Sequence, residues 1–289
     1  MASSPLRLKS HRHARSVSLP SRSHPLIPLV DEHLCRIKAS EAASSPVGER
    51  LSILLDMYSC LDDLLLLPHT QEALAKQNRE KWVEVVLDGY LNLLDVCGTA
   101  KDVSSQAKQD AQDLLSIIRR KRDANELGGY SASRKRVKKL IQKSLRDLKN
   151  IRSKHTILAS DKYHETMAIC ALLNDVEAAT LAVMESLLSY MAGAKAQSRF
   201  SLVSKLLHSK TVEAQDEETG TNEFDKVDIA LCLLSGHKSS RSSGAMSLEN
   251  LQIDLQRMEM SIQELEGGLE CLFRRLIKTR VSLLNILNH

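Results

Sequence analysis

The chain is 289 residues long and holds 47 leucines against 11 glycines, 6 prolines and 9 aromatic residues. Glycine and proline together run at about half their usual share. A sheet protein needs them at its turns, and needs more β-branched and aromatic residues in its strands, so the composition predicts an all-α fold, an elongated bundle of long amphipathic helices. The net charge of +4 conceals an asymmetry, because Arg119 to His155 carries 14 Lys or Arg against Asp123, Glu126 and Asp147, which leaves the rest of the chain negative.

Residues 1 to 28 contain five Lys or Arg, three His, seven Ser and four Pro, with no acid and no helical period. They read as a disordered basic tail. The remainder, 29–289, reads as a single helical-bundle domain. Leu29, Val30, His33, Leu34 and Ile37 share one helical face, and a second helix runs from Pro46 to Pro68 through Leu51, Leu54, Leu55, Tyr58, Leu61 and Leu65. Thr70 caps a short helix, which leads into a long one whose stripe (Val83, Val86, Leu87, Tyr90, Leu94, Cys97) passes Gly98 and resumes to Ile118. Gly128 and Gly129 mark a break before a basic helix in which Val137, Leu140, Ile141, Leu145, Leu148 and Ile151 oppose ten Lys or Arg. The helix that follows, with Ile169, Leu173, Val176, Thr180, Val183, Leu187 and Tyr190 on a widened apolar face, is the expected centre of the core. Asp175, Glu177 and Glu185 interrupt its apolar run, so no membrane span is predicted.

Residues 209–223 and 235–247 read as loops, the first acidic and polar, the second rich in Ser and Gly. The last segment has the clearest period. Leu248, Leu251, Leu255, Met258, Ile262, Leu265, Leu269, Leu272 and Leu276 recur at three and four residues, and Thr279, Leu283 and Ile286 continue the row. This satisfies the heptad test for a coiled coil. Two readings stay open: the seam packs inside the chain's own bundle, or it pairs with a second copy as a homodimer. Gly267 and Gly268 lie off the seam and predict a bend or a close helix approach. The six cysteines, spaced 25 to 73 residues apart inside apolar patterns, read as small buried hydrophobes. The first thirty residues lack the apolar run of a secretory signal. An intracellular, cytoplasmic location is expected, with nuclear or membrane-peripheral placement as alternatives.

Two features point to partners. Arg119, Arg120, Lys121 and Arg122, followed by Arg134, Lys135, Arg136, Lys138 and Lys139, have the layout of an anion-binding face or a bipartite nuclear-import signal. Aromatic stacking residues are nearly absent there, which argues against single-stranded nucleic acid; an acidic protein or an anionic membrane surface against the basic helix 134–155 fits the charge. In the tail, Arg15, Ser16, Ser18 and Pro20 form Arg-Ser-x-Ser-x-Pro, the pattern of a 14-3-3 ligand in which phosphorylated Ser18 is gripped by arginines.

Enzyme signatures are missing. There is no Gly-x-Gly-x-x-Gly, no Walker loop and no Gly-x-Ser-x-Gly, and His164-Glu165 lacks the second histidine of a zinc-protease helix. Asp62 and Asp63 are adjacent on a helix and so point in different directions. No catalytic residue, cofactor or metal site is predicted.

Long stretches carry a family resemblance. His13-Ala-Arg-Ser-Val-Ser-Leu-Pro-Ser-Arg-Ser-His-Pro25, Leu61-Asp-Asp-Leu-Leu-Leu-Leu-Pro68, Leu93 to Asp102, Ser133 to Lys139 and Cys271 to His289 resemble the plant-specific domain of unknown function 241, grouped with the BYPASS-like proteins. The resemblance implies a helical flowering-plant protein with no assigned chemistry, linked to root and shoot development. With the charge pattern it leads to the expectation of a non-enzymatic helical adaptor that acts through protein interactions. The cations Arg274 to Arg280 are expected to offset the negative pole of the final helix.

Overall fold

A computed structural model describes residues 25–76, 80–120, 127–158, 166–193, 221–236 and 241–288. Among these residues there are eight α-helices and no strand: α1 (Leu26–Ala42), α2 (Val47–Leu65), α3 (Pro68–Lys76), α4 (Glu80–Arg119), α5 (Leu127–Leu158), α6 (Thr166–Ala192), α7 (Glu223–Gly236) and α8 (Arg241–Leu287). The all-α expectation is correct.

Proline and serine set the first boundaries. Pro25 occupies the N-cap of α1 and Pro28 falls in its first turn, where a missing N–H costs little. The helix therefore starts inside the predicted tail. It ends in a paired C-terminal motif: Ser44 takes φ +54°, its N–H reaches the Glu41 carbonyl, and the Ser45 N–H reaches Ser40. A glycine is usual at such a left-handed residue; the serine accepts a cost of about 1 kcal/mol. Pro46 then opens α2, and α3 begins at Pro68, two residues ahead of the predicted cap at Thr70.

Helix α6 is the centre of the bundle, as expected. It touches α1 through α5 and α7, and Val176, Leu181, Val183, Met184, Leu187, Leu188 and Met191 are all buried. At about 1.5 Å per residue, α8 runs roughly 70 Å across α2, α3, α4 and α7. Its seam lies inside the chain: Leu251, Leu255, Met258, Ile262, Leu265, Leu269, Leu272, Leu276, Thr279, Leu283 and Ile286 are buried against these helices. The homodimeric coiled-coil reading of the seam is thereby corrected, since its apolar surface is already spent on α4 and α2. Leu248, at 38% exposed, stands outside the buried row.

The close helix approach predicted at the glycine pair falls on Gly268, where a Cβ would overlap Leu51 of α2, whereas Gly267 faces open space. Of the Ser/Gly-rich stretch 235–247, the described residues are helical, with α7 reaching Gly236 and α8 starting at Arg241, and 237–240 lies outside the described residues. Each Ser or Gly lowers helix propensity by no more than about 1 kcal/mol, and a long packed helix downstream carries its first turns with it. Of the acidic loop, 209–220 lies outside the described residues.

Two further expectations need correction. Only Cys97 is buried; Cys60 and Cys170 are half-buried, and Cys35, Cys232 and Cys271 are exposed, because they flank the apolar stripes instead of lying on them. The cations near the C-terminus do not sit at the helix end, since α8 continues to Leu287 with no basic residue in its last turn. Arg274 pairs with Glu270 at 2.9 Å, and Arg275 and Lys278 reach back to Asp62 of α2 at 2.7 and 3.1 Å. Asp62 is buried and Asp63 is exposed, so the adjacent pair does point in different directions.

Candidate interaction face

Three polar regions of the bundle bring charged or hydroxyl side chains together. The first is internal. Tyr58 and Thr180 hydroxyls lie 2.9 Å apart, and Thr180 donates to the Val176 carbonyl at 2.7 Å, so Tyr58 must be the donor of the pair. Burial pushes the Tyr58 and Tyr90 phenols well above their ordinary range. The Glu177 carboxylate is seated over Gly89, where a Cβ would overlap it. This cluster is closed off from solvent and ties α2, α4 and α6 together.

The second is a cleft of about 880 Å³ beside the α1–α2 turn, with Glu41, Arg50, Arg152, Glu185, Tyr190 and Glu264 in its wall. Its cations are engaged: Arg50 donates to Ser186 at 2.8 Å and Arg152 to Glu185 at 3.4 Å. Tyr190 donates to Glu223, and burial with that carboxylate raises its phenol above the usual range. Among the described residues of this wall, no nucleophile is bonded to an adjacent base. Among the described residues, no group of three His, Cys, Asp or Glu could hold a metal ion.

The third region is α5. Its apolar row of Tyr130, Val137, Ile141 and Leu148 is buried, which turns the opposite arc outward. Of the predicted basic residues, Arg134 and Lys138 are not available. Arg134 is buried, with its guanidinium 3.4 Å from Asp228 of α7, bonded to the Ala192 carbonyl at 3.3 Å and stacked over Phe224 at 5.0 Å. Lys138 reaches Asp228 at 2.7 Å. These two cations fasten α5 to α7 and the end of α6, since a buried acid such as Asp228 needs paired cations to offset its lost hydration. They are therefore withdrawn from the predicted anion-binding face.

Lys135, Arg136 and Lys139 remain on that face, exposed and without a described counter-charge. The same arc continues through Lys143, Arg146 and Lys149, which the short run of consecutive cations did not single out. Their signal was spacing: 135, 139, 143 and 146 step by four and three residues opposite the apolar row. At about 1.5 Å per residue, the six cations span roughly 21 Å of one rigid helix. Asp147 borders the row and Leu140, also exposed, flanks it. Arg119 and Arg120 are exposed at the end of α4. Lys121 and Arg122, and the tail motif of Arg15, Ser16, Ser18 and Pro20, lie outside the described residues.

No helix among the described residues is long and apolar enough to cross a membrane. No curated protein and no solved structure matches the chain. The family model described as Protein BPS1 matches residues 50–286, a span from the first turn of α2 to the end of α8 that includes the whole cation row and excludes α1 and the tail motif. This agrees with the resemblance to domain of unknown function 241, and the family implies a regulator of plant development. The chain belongs to the BPS1 family.

Proposed function

We propose that the chain is a non-enzymatic helical adaptor in root and shoot development that works inside the cell by docking an acidic segment of a protein partner on the α5 row. The observation that carries this reading is an imbalance in how cations are used. Lys101, Lys108, Arg134, Lys138 and Arg275 are each paired with an acid of the same chain, while six successive cations on the outer arc of α5 have no such partner. A single exposed ion pair contributes about 1 kcal/mol or less, so only a row held in one geometry gives useful affinity, and a packed helix holds it with no backbone ordering cost on binding. Phosphorylated Ser18, in its 14-3-3 pattern, is a second docking element of the same adaptor.

Proximity labelling in root tissue tests the first element. The full chain is compared with Lys135→Glu/Lys139→Glu/Lys143→Glu, all at exposed positions, and a set of neighbours is expected to disappear. An unchanged set would sink the reading. For the tail, 14-3-3 capture by the phosphorylated chain should vanish on Ser18→Ala, and equal recovery from both would remove that element. A second reading is favoured by the exposed Leu140 beside the cations: the row lies on anionic lipid, at about 1 kcal/mol per well-placed cation. Flotation with anionic and neutral vesicles separates the two, because retention by the anionic ones alone, lost in the triple variant, would favour the membrane.

A further inference from the structure

We propose that the cleft beside the α1–α2 turn holds this chain's own basic segment, residues 7–15, and releases it when Ser18 is phosphorylated. The release rests on the reading of Ser18 as a phosphorylated docking element; the seating of the segment does not. The wall of the cleft has five glutamates and two arginines. Arg152 pairs with Glu185, Arg50 donates to Ser186, and Glu223 accepts from Tyr190. Glu41, Glu49 and Glu264 are all exposed, and none of their carboxylates bonds a described cation. The cleft is therefore a net acidic recess of about 880 Å³, a size ordinary for a ligand site. Hydroxyls of Ser44, Ser45 and Ser189 in its wall offer hydrogen bonds to a peptide backbone. The sequence holds the complement: Arg7, Lys9, Arg12 and Arg15 stand within nine residues that include no acid.

Helix α1 sets the distance to be covered. Pro25, from which the earlier residues extend, is the N-cap of α1, and Glu41, near the other end of the same helix, stands in the cleft wall. Sixteen residues at about 1.5 Å each place these two points roughly 24 Å apart. Arg15 precedes Pro25 by ten residues and Lys9 by sixteen, which reach about 33 and 53 Å when extended at roughly 3.3 Å per residue. The segment can therefore return along α1 to the cleft with chain to spare. Tethering gives it an effective concentration of millimolar order, so a few partly screened ion pairs are enough to hold it. The outer face of α4 also bears exposed acids, Glu84, Asp88, Asp95 and Asp102. A convex helix face leaves each of its pairs open to water and salt, whereas a recess reduces that screening. Ser16 and Ser18 directly follow this segment. A phosphate there carries about −1.5 to −2 charge near pH 7, meets the cleft glutamates with like sign and drives the segment out. The tail then occupies either the cleft or a phospho-specific partner.

Carbodiimide cross-linking of the full chain, read by mass spectrometry, tests this, because it joins the Lys9 amine to a carboxylate in direct contact with it. Lys9 should couple to Glu41, Glu49 or Glu264, and within one chain when isotope-labelled and unlabelled protein are mixed. Arg12→Gln/Arg15→Gln leaves every target in place and should cut the yield about tenfold, the loss of two partly screened pairs; phosphorylation of Ser18 should cut it at least as far. Glu84→Lys/Asp88→Lys on α4 should leave the yield unchanged. Absence of coupling to the cleft, coupling only between chains, stronger coupling to acids elsewhere, those of α4 among them, or a yield indifferent to Arg12→Gln/Arg15→Gln would each overturn the inference. Coupling that persists on the phosphorylated chain would overturn the release alone. Failure of 14-3-3 capture with the coupling intact would end the Ser18 reading and leave the seated segment standing.

Discussion

The Asp62 clamp between α2 and α8 gives the sharpest test of how charge is managed in this bundle. The Asp62 carboxylate is 1% exposed, whereas its partners Arg275 and Lys278 are 36% and 50% exposed; Thr279 adds a hydroxyl donor at 3.3 Å. The two sides of the interaction should therefore respond unequally. Replacing Asp62 by Asn frees two cations that already reach water, a loss of about 1 kcal/mol, as for an exposed pair. Replacing Arg275 and Lys278 together by Met strands a buried charge, which costs about 3–5 kcal/mol. Adding Asp62→Asn to that double variant removes the stranded charge and should recover much of the loss. Urea unfolding at pH 7 measures this: with a slope of about 3 kcal/mol/M, the double variant should move the midpoint down by about 1–1.7 M, and the triple variant should move it part of the way back. If Asp62→Asn alone costs as much as the double variant, or if the triple variant is the least stable, the assignment of the cost to the buried carboxylate is wrong.

Other predictions follow the same logic of burial. Leu269→Ala and Leu272→Ala, at fully buried seam positions, should each cost about 3–5 kcal/mol, while Leu248→Ala should stay within about 0.5 kcal/mol; thermal or urea unfolding ranks them. Thr180→Val leaves the Tyr58 hydroxyl buried without its acceptor and should cost about 1–3 kcal/mol, more than Tyr58→Phe at about 1 kcal/mol; the reverse order would refute the donor assignment. Burial pushes the Cys97 thiol up to about 12, against the pull of Lys101, and the Cys170 thiol up to about 11. Because the thiolate is the nucleophile, alkylation of the native chain at pH 8, followed by mass spectrometry, should modify exposed Cys35, Cys232 and Cys271 early and Cys97 last. Above pH 11 the chemical protection of Cys97 should fade, leaving only its steric shielding.

The fold was legible where a residue's role depends on its own helix. Leucines at three- and four-residue spacing marked α2, α4, α6 and α8, and the seam from Leu251 onward is buried throughout. Boundaries were less legible, because Pro28 and the Ser/Gly run near 241 are weak local signals that a packed helix overrides by up to about 1 kcal/mol per residue. The seam's partner could not be read from α8 at all, since a heptad face is equally satisfied by a second copy or by α2 and α4. Gly268 is the residue that distinguishes them, because Leu51 of α2 lies directly against it.

The interaction face divides in a similar way. Its sign and helix were evident from charge alone, but which cations are spent inside depends on Asp228, some ninety residues away on α7. Arg134 and Lys138 lie on the flank that turns toward α7, where a carboxylate buried beside Phe224 needs both of them. Lys135, Lys139, Lys143 and Arg146 differ from them by one or a few positions, and a step of one residue turns a side chain by about 100° around the helix. That turn is enough to convert a structural clamp into a free surface. A run of adjacent basic residues therefore overstates how many cations are free, and a periodic row marks the free ones: on the proposed docking reading, removing cations along α5 should weaken a partner only where the residue removed lies on the 135–139–143–146 line, while Lys138→Gln should alter stability and leave partner capture unchanged.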